Sequence, residues 1–199
     1  MQKNEPFEYE NFYHIYNSGI NGEPLFKSTA DFERFLSKYE RYISPIAETI
    51  AWCLLTDHFH VLLKLKNEKE IQFVNVSNKP DVIVKKLIPS SSFSHLFNAY
   101  AKYFNTRYNR QGSLFQHPYK RRLIMREEHL KQLIVFIHNN PIYSGVCYHP
   151  GEYRWSSYRK FIAREPEKIY TNHLKHWFGN VERFTAIHEK KAETILLEK

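Results

Sequence analysis

The order of periodic segments predicts an α+β sandwich, an antiparallel-rich sheet with helices packed on one face. Three observations carry this. An aromatic, β-branched stretch near the N-terminus precedes a helical pattern. Two apolar runs separated by only two polar residues read as a hairpin. A second helical pattern, a short strand and a third helical pattern follow, giving strand, helix, hairpin, helix, strand, helix.

The first strand covers 12–17, Phe-Tyr-His-Ile-Tyr-Asn, and Ser18-Gly19 with Asn21-Gly22 punctuates its end. Ser28 or Thr29 offers an N-cap, and Phe32, Phe35, Leu36 and Tyr39 recur at helical spacing over 29–42. Residues 49–55 and 58–65 flank Thr56-Asp57 as the hairpin. Residues 66–92, with Pro80, Pro89 and serines at 90–92, read as a loop-rich insertion with a short helix or strand near Val82–Leu87. Phe93, Leu96, Phe97, Tyr100, Phe104 and Tyr108 form a helical stripe over 93–109. A strand over 120–125 precedes a helix opened by Glu127-Glu128, with Leu130, Leu133, Ile134 and Ile137 on its apolar face. Pro141 is expected to stop that helix. The remainder, 153–199, reads as helical.

With 199 residues, 42% of them hydrophobic, the chain can bury one sizeable core. No repeat or linker divides it, so a single domain over 1–199 is expected. Aromatic residues make up 16%, which argues against disorder. The formal net charge of +8 favours polyanions, nucleic acid before an anionic membrane surface. Only Cys53 and Cys147 occur, so no disulfide framework is implied. Residues 1–6 hold no apolar signal core, and no apolar stretch approaches the ~20 residues of a membrane span. The expected location is the cytoplasm.

Three constellations could carry chemistry. His58 and His60, at i and i+2 on a strand, present two imidazoles on one face and turn Phe59 to the other. Two neutral nitrogens on a rigid element suit a divalent metal that takes a third ligand from elsewhere. In isolation this pattern is more often incidental. Phe136 and Asn140, at i and i+4, share a helix face. Asn140 can supply an oxygen to a hard cation, or simply cap the helix end. Between Tyr100 and Arg126 lie Lys102, Arg107, Arg110, Lys120, Arg121, Arg122 and Arg126 with no Asp or Glu, interleaved with Tyr103, Phe104, Tyr108, Phe115 and Tyr119. Cations hold phosphates and exposed rings stack bases, so these residues read as a nucleic-acid surface.

Taken together, the chain resembles the single-tyrosine His–hydrophobic–His (HUH) transposases, in the REP-associated tyrosine transposase branch. The likeness runs through Tyr13-His14-Ile15-Tyr16-Asn17-Ser18-Gly19, Leu54 to Leu63, Tyr103-Phe104-Asn105, Gly112 to Gln116 and Phe136 to Tyr158. Trp177-Phe178-Gly179, Phe184 and His188 are similar to versions with a C-terminal extension. The resemblance implies a ferredoxin-like sheet over about 9–160, with a helical extension over about 161–199. It implies single-stranded or hairpin DNA as partner, Mg²⁺ or Mn²⁺ as cofactor, and His58, His60 and Asn140 as metal ligands. Dimers with shared active sites occur among such transposases, and no residue here decides that state.

The family's nucleophilic tyrosine aligns with Phe136, which has no hydroxyl to attack a phosphate. Asp57 stands where the family usually has Asn, either aiding a cation or capping the turn. Four readings stay open: a DNA-binding protein without standard cleavage; an enzyme using Tyr143, Tyr119, Tyr103 or Tyr148 instead; hydrolysis by metal-activated water; and a regulatory nucleic-acid-binding module. Tyr143, beyond Pro141, is expected to lie off the helix.

Overall fold

The computed structural model describes residues 6–71, 74–75, 84–85, 87–163 and 168–197. Along the chain run β1 (Phe12–Ser18), α1 (Thr29–Ile43), β2 (Ala47–Leu54), β3 (His58–Leu65) and the two-residue strands β4 (Val74–Asn75) and β5 (Val84–Lys85). They are followed by α2 (Pro89–Arg107), β6 (Lys120–Ile124), α3 (Glu127–Tyr143), α4 (Tyr158–Phe161), α5 (Lys168–Phe178) and α6 (Val181–Leu197). Strands β2-β3-β1-β6 form one antiparallel sheet in that order. This connectivity is the ferredoxin-like arrangement.

Alternation along each strand decides what each face packs against. On one face, Tyr13 and Ile15 of β1 and Phe59, Val61 and Leu63 of β3 cluster with Phe35 and Tyr39 of α1 and Phe93, Leu96 and Tyr100 of α2. On the other, Leu62 of β3 and Ile50, Ala51 and Cys53 of β2 meet Leu130, Ile134 and Ile137 of α3, Phe161 of α4 and Phe184 of α6. Each such buried aliphatic or Phe side chain contributes about 1.5–3 kcal/mol. The helices thus cover both faces, α1 and α2 on one, α3 with the C-terminal extension on the other. The outer edge of β2 is closed in part by 155–157, where Leu54 N–H donates to the Trp155 carbonyl at 2.9 Å and Ser157 N–H to that of Trp52 at 2.9 Å.

Two helix boundaries differ from those expected. α2 begins at Pro89, not Phe93. Proline at the first helical position gives up only an N–H that would have no partner, so the serine run is drawn into the helix. α3 continues through Pro141 to Tyr143. A proline in a helix interior costs about 3 kcal/mol. Here it stands two residues from the end, and Ile137 to Asn140 and Ile142 are buried. Packing therefore outweighs the lost bond, and Ser144 N–H to the Asn140 carbonyl (3.0 Å) and Val146 N–H to that of Pro141 (2.8 Å) close the terminus. Of the stretch near Val82–Leu87, Val84–Lys85 is a strand paired with Val74–Asn75, and 82, 83 and 86 lie outside the described residues. Among the described residues no helix is long and apolar enough to cross a membrane.

Candidate metal centre and nucleic-acid face

His58 and His60 project from β3 towards α3, half-buried beneath it. Asn140, 5% exposed, reaches back from α3, and its Oδ1 lies 3.0 Å from His58 Nε2. Phe136, one turn earlier, meets the His60 ring edge-on, centroids 5.3 Å apart. The i, i+4 face of α3 and the i, i+2 face of β3 therefore confront each other. Asp57 has a partner beyond the turn, its Oδ1 lying 2.7 Å from His58 Nδ1. A carboxylate on Nδ1 holds that nitrogen as the N–H donor and leaves Nε2, the atom facing Asn140, as the lone-pair side.

These donors suit a hard divalent ion. Two cis ligands of an octahedral ion with bonds of about 2.1 Å stand roughly 3.0 Å apart, which is the separation of His58 Nε2 and Asn140 Oδ1. Among the described residues no group of three His, Cys, Asp or Glu side chains converges on one point. The Asn140 amide oxygen is the further donor in this cleft.

Sequence reasoning missed two residues of this face. His14 Nε2 lies 2.9 Å from His60 Nδ1, and Tyr16, opposite His60 in the β1–β3 register, stacks its ring 4.6 Å from His14 and 5.6 Å from His60. Burial, reinforced by neighbouring His14 and His58, pushes His60 down to about 3. Burial and the Arg122 cation push His14 down to about 4. Both rings are neutral at physiological pH, the state that metal ligation needs. The His14–His60 contact engages His60 Nδ1, so His60 Nε2 is the ring nitrogen left to face an ion. The period-2 pattern of β1 places His14 and Tyr16 on one face, and only their register with β3 would have revealed them.

The structure divides the basic residues of 102–126 between two faces and several partners. Lys120 and Arg122 pair with Tyr16 and His14 in the β1–β6 register and so lie on the face of the histidines. The Lys120 ammonium stands 5.7 Å from the Tyr16 ring centroid, and Arg122 is exposed. Arg121 points to the opposite face, 4.3 Å over the Phe7 ring, with Nη1 donating to the Tyr119 hydroxyl at 3.4 Å. Arg107 lies 3.7 Å from Asp31, and Arg110 is 2.6 Å from Glu23. Lys102 is exposed on α2, and Arg126 contacts His129 at 2.7 Å before α3. The apparent absence of carboxylates ends once distant acids fold onto the run.

The four substitute tyrosines separate in the same way. Tyr143 is on α3, not off it, at i+7 from Phe136, with ring centroids 5.8 Å apart. The Tyr103 hydroxyl donates to Asp31 Oδ1 at 3.1 Å. Tyr119 packs against Phe93 and Phe97 on the α1/α2 side. Tyr148 is exposed in the loop after α3. Tyr143 alone of the four shares the helix face of Phe136 and Asn140.

No family model matches the chain, and no curated protein matches it. Among solved structures, the chain is similar to a REP-associated tyrosine transposase bound to a REP hairpin, with TM-score 0.61 and 13% identity over 85% of this chain and 89% of that one. It also overlaps a bacterial tRNA(His) guanylyltransferase-like protein in complex with ATP, with TM-score 0.42 and 10% identity over 86% of this chain and 73% of that one, too loosely to bear on the argument. The four-stranded antiparallel sheet and its packed helices thus share the fold of that REP-associated tyrosine transposase, whatever the chemistry of this chain.

Proposed function

We propose that residues 1–199 form one transposase-like unit that binds single-stranded or hairpin DNA at a divalent-metal site of His58, His60 and Asn140, without the standard tyrosine nucleophile. The observation carrying this reading is the 3.0 Å approach of Asn140 Oδ1 to His58 Nε2, with Phe136 edge-on to His60 in the same cleft. The transposase of like fold, bound to a REP hairpin, supports DNA as partner. Lys120 and Arg122 on the histidine face supply cations for phosphates. Tyr16 gives that face a ring beside His60 on which a base can stack.

An ion of the Mg²⁺ or Mn²⁺ class polarises and orients a phosphate bound to it. Asp57 holds the His58 imidazole in the tautomer that exposes Nε2, and His14 engages Nδ1 of the His60 ring. The Phe136 ring packs against His60 and offers no hydroxyl, so no phosphotyrosine forms at that position. One observation favours a second reading: Tyr143 presents a phenol on the Phe136 face of α3, so strand cleavage from that residue is the alternative.

Denaturing electrophoresis of labelled hairpin DNA with Mn²⁺ separates the two. Native protein that retards the hairpin without a covalent band, beside a Phe136→Tyr variant that gives one, supports the first reading. A covalent band from native protein, mapped to Tyr143, replaces it with the second. Native protein that does not retard hairpin or single-stranded DNA refutes both.

A further inference from the structure

β2 is an edge strand, and residues 155–157 cover only the second half of its outer side, through the antiparallel Cys53–Ser156 bridge. At Tyr158 the chain turns away into α4. The rest of that edge borders an open groove of about 940 Å³ between α1, β2, α4 and α5. A bulge between Thr49 and Ala51 breaks the edge there, so it is a poor template for an added strand. The groove has a direction. At its Ser44–Thr49 end, Glu48 Oε1 lies 2.7 Å from His173 Nε2, Glu40 Oε2 accepts from Ser44 Oγ at 2.7 Å, and Lys66 Nζ donates to the Ser44 carbonyl at 2.6 Å. At the other end, set by the pairing of 155–157 with β2, stand Arg154, Arg159 and Lys160. Neither arginine has an acidic partner among the described residues. Arg159 is committed to the Gly151 and Glu152 carbonyls at 2.6 and 3.3 Å. The Arg154 guanidinium stands 4.5 Å from the Trp155 ring centroid, which holds its plane and leaves its N–H edge for an anion. Between the two ends the floor is apolar, with Leu36, Leu54, Val61 and Trp52. Trp155 is taken by Phe32, stacked at 4.6 Å, but no ring or cation stacks on the half-buried Trp52 indole among the described residues.

We propose that this groove binds a free nucleoside monophosphate, with its base stacked on Trp52, its phosphate at Arg154 and Lys160, and a base amino group towards Glu48 and Thr49. An apolar floor with acceptors at one end and cations at the other complements a planar ring that carries donors on one side and an anion on the other. The stretch from Glu48 to Trp52 covers about 13 Å at about 3.3 Å per residue, which accommodates a base with its sugar and phosphate. The walls belong to the α1 side of the sheet, across from His58 and His60, so this site stands independently of the DNA reading.

Calorimetric titration with AMP, adenosine and IMP tests this, with tryptophan fluorescence as a second readout. Native protein should bind AMP roughly tenfold more tightly than adenosine, which lacks the phosphate, and several-fold more tightly than IMP, which lacks the amine. AMP should also quench the native fluorescence. Trp52→Phe keeps a ring and should retain binding while losing most of the quenching, whereas Trp52→Leu should lose roughly tenfold affinity. The Arg154→Gln/Lys160→Gln double variant should bind AMP no better than adenosine, with adenosine affinity unchanged. This variant and the ligand series decide the matter even if Trp52→Leu does not fold. Native protein that gives neither heat nor quenching with AMP overturns the site, as does a double variant that binds AMP as native protein does. Equal affinity for AMP and IMP overturns the placement of the base. A single-stranded oligonucleotide that quenches Trp52 where AMP does not overturns the free nucleotide in favour of a strand.

Discussion

Replacing His188 by Leu should remove a pH-dependent share of stability that can be worked from the geometry. His188 is fully buried on α6, and its Nδ1–H donates to the Phe184 carbonyl at 2.7 Å. Its Nε2 is therefore the acceptor for His138 Nδ1–H on α3 at 3.1 Å. His138 Nε2 in turn accepts from Ser157 Oγ at 2.8 Å, and Trp52 N–H of β2 donates to that oxygen at 2.9 Å. One set of neutral tautomers satisfies the chain, and an added proton is accommodated only if the Ser157 hydroxyl turns to the Trp52 carbonyl, 3.4 Å away. Burial, opposed by the Phe184 carbonyl and aided by neighbouring His149, pushes His188 down from 6.5 to about 4. The groups facing it are His138, His149 and Tyr158. A folded-state value below the unfolded one gives stability that is complete above about pH 6.5 and is lost as pH falls towards 4. At 1.36 kcal/mol per unit this amounts to about 3 kcal/mol. His188→Leu leaves His138 Nδ1–H without its acceptor, costing about 1–3 kcal/mol at pH 7.5, and abolishes that titration. Urea unfolding of both proteins from pH 7.5 to 4.5 should show the gap narrowing with acid, since His14 and His60 titrate equally in each and the variant also relieves the lowering that His188 imposes on His138. A constant gap would refute the neutral network. Asn139 Nδ2 also donates to the His188 carbonyl at 3.2 Å, so the network braces the helix that carries Asn140 and Phe136.

Arg122→Ala should weaken binding to single-stranded DNA and flatten its salt slope by roughly 0.7, whereas Arg121→Ala, on the opposite face over Phe7, should leave that slope unchanged; equal effects in an anisotropy salt series would refute the sidedness. Asp57→Ala removes the carboxylate that orients His58 and should lower Mn²⁺ affinity about 10-fold or more, read by calorimetric titration; unaltered affinity would return Asp57 to the turn alone. Asp31, fully buried, accepts from the Lys27 and Ser28 amides and the Tyr103 and Tyr108 hydroxyls. Asp31→Ala strands those donors and should cost roughly 3 kcal/mol or more in chemical denaturation; a loss below about 1 kcal/mol would show that water replaces the carboxylate.

What could be read from the sequence was what a local period encodes. Alternation in His58–Leu65 put the two histidines on the face opposite Phe59 and Val61, and i, i+4 spacing put Phe136 with Asn140, because each follows from backbone geometry alone. Pro141 misled because its penalty is local while the burial of Ile142 beyond it is not. His14 and Tyr16 were equally visible as a face of β1, but their place beside His60 depends on register with a strand more than 40 residues away. The basic run is divided for the same reason. Glu23 and Asp31 are remote in sequence from Arg110 and Arg107 and close only in space, so charge density along the chain overstated the free cations. Charge on a strand is sorted further by parity: Lys120 and Arg122 reach the histidine face while Arg121, between them, cannot. A linear count of cations therefore measures affinity for a polyanion in general, and only parity on β6 together with the pairing of α2's arginines says where a phosphate can sit.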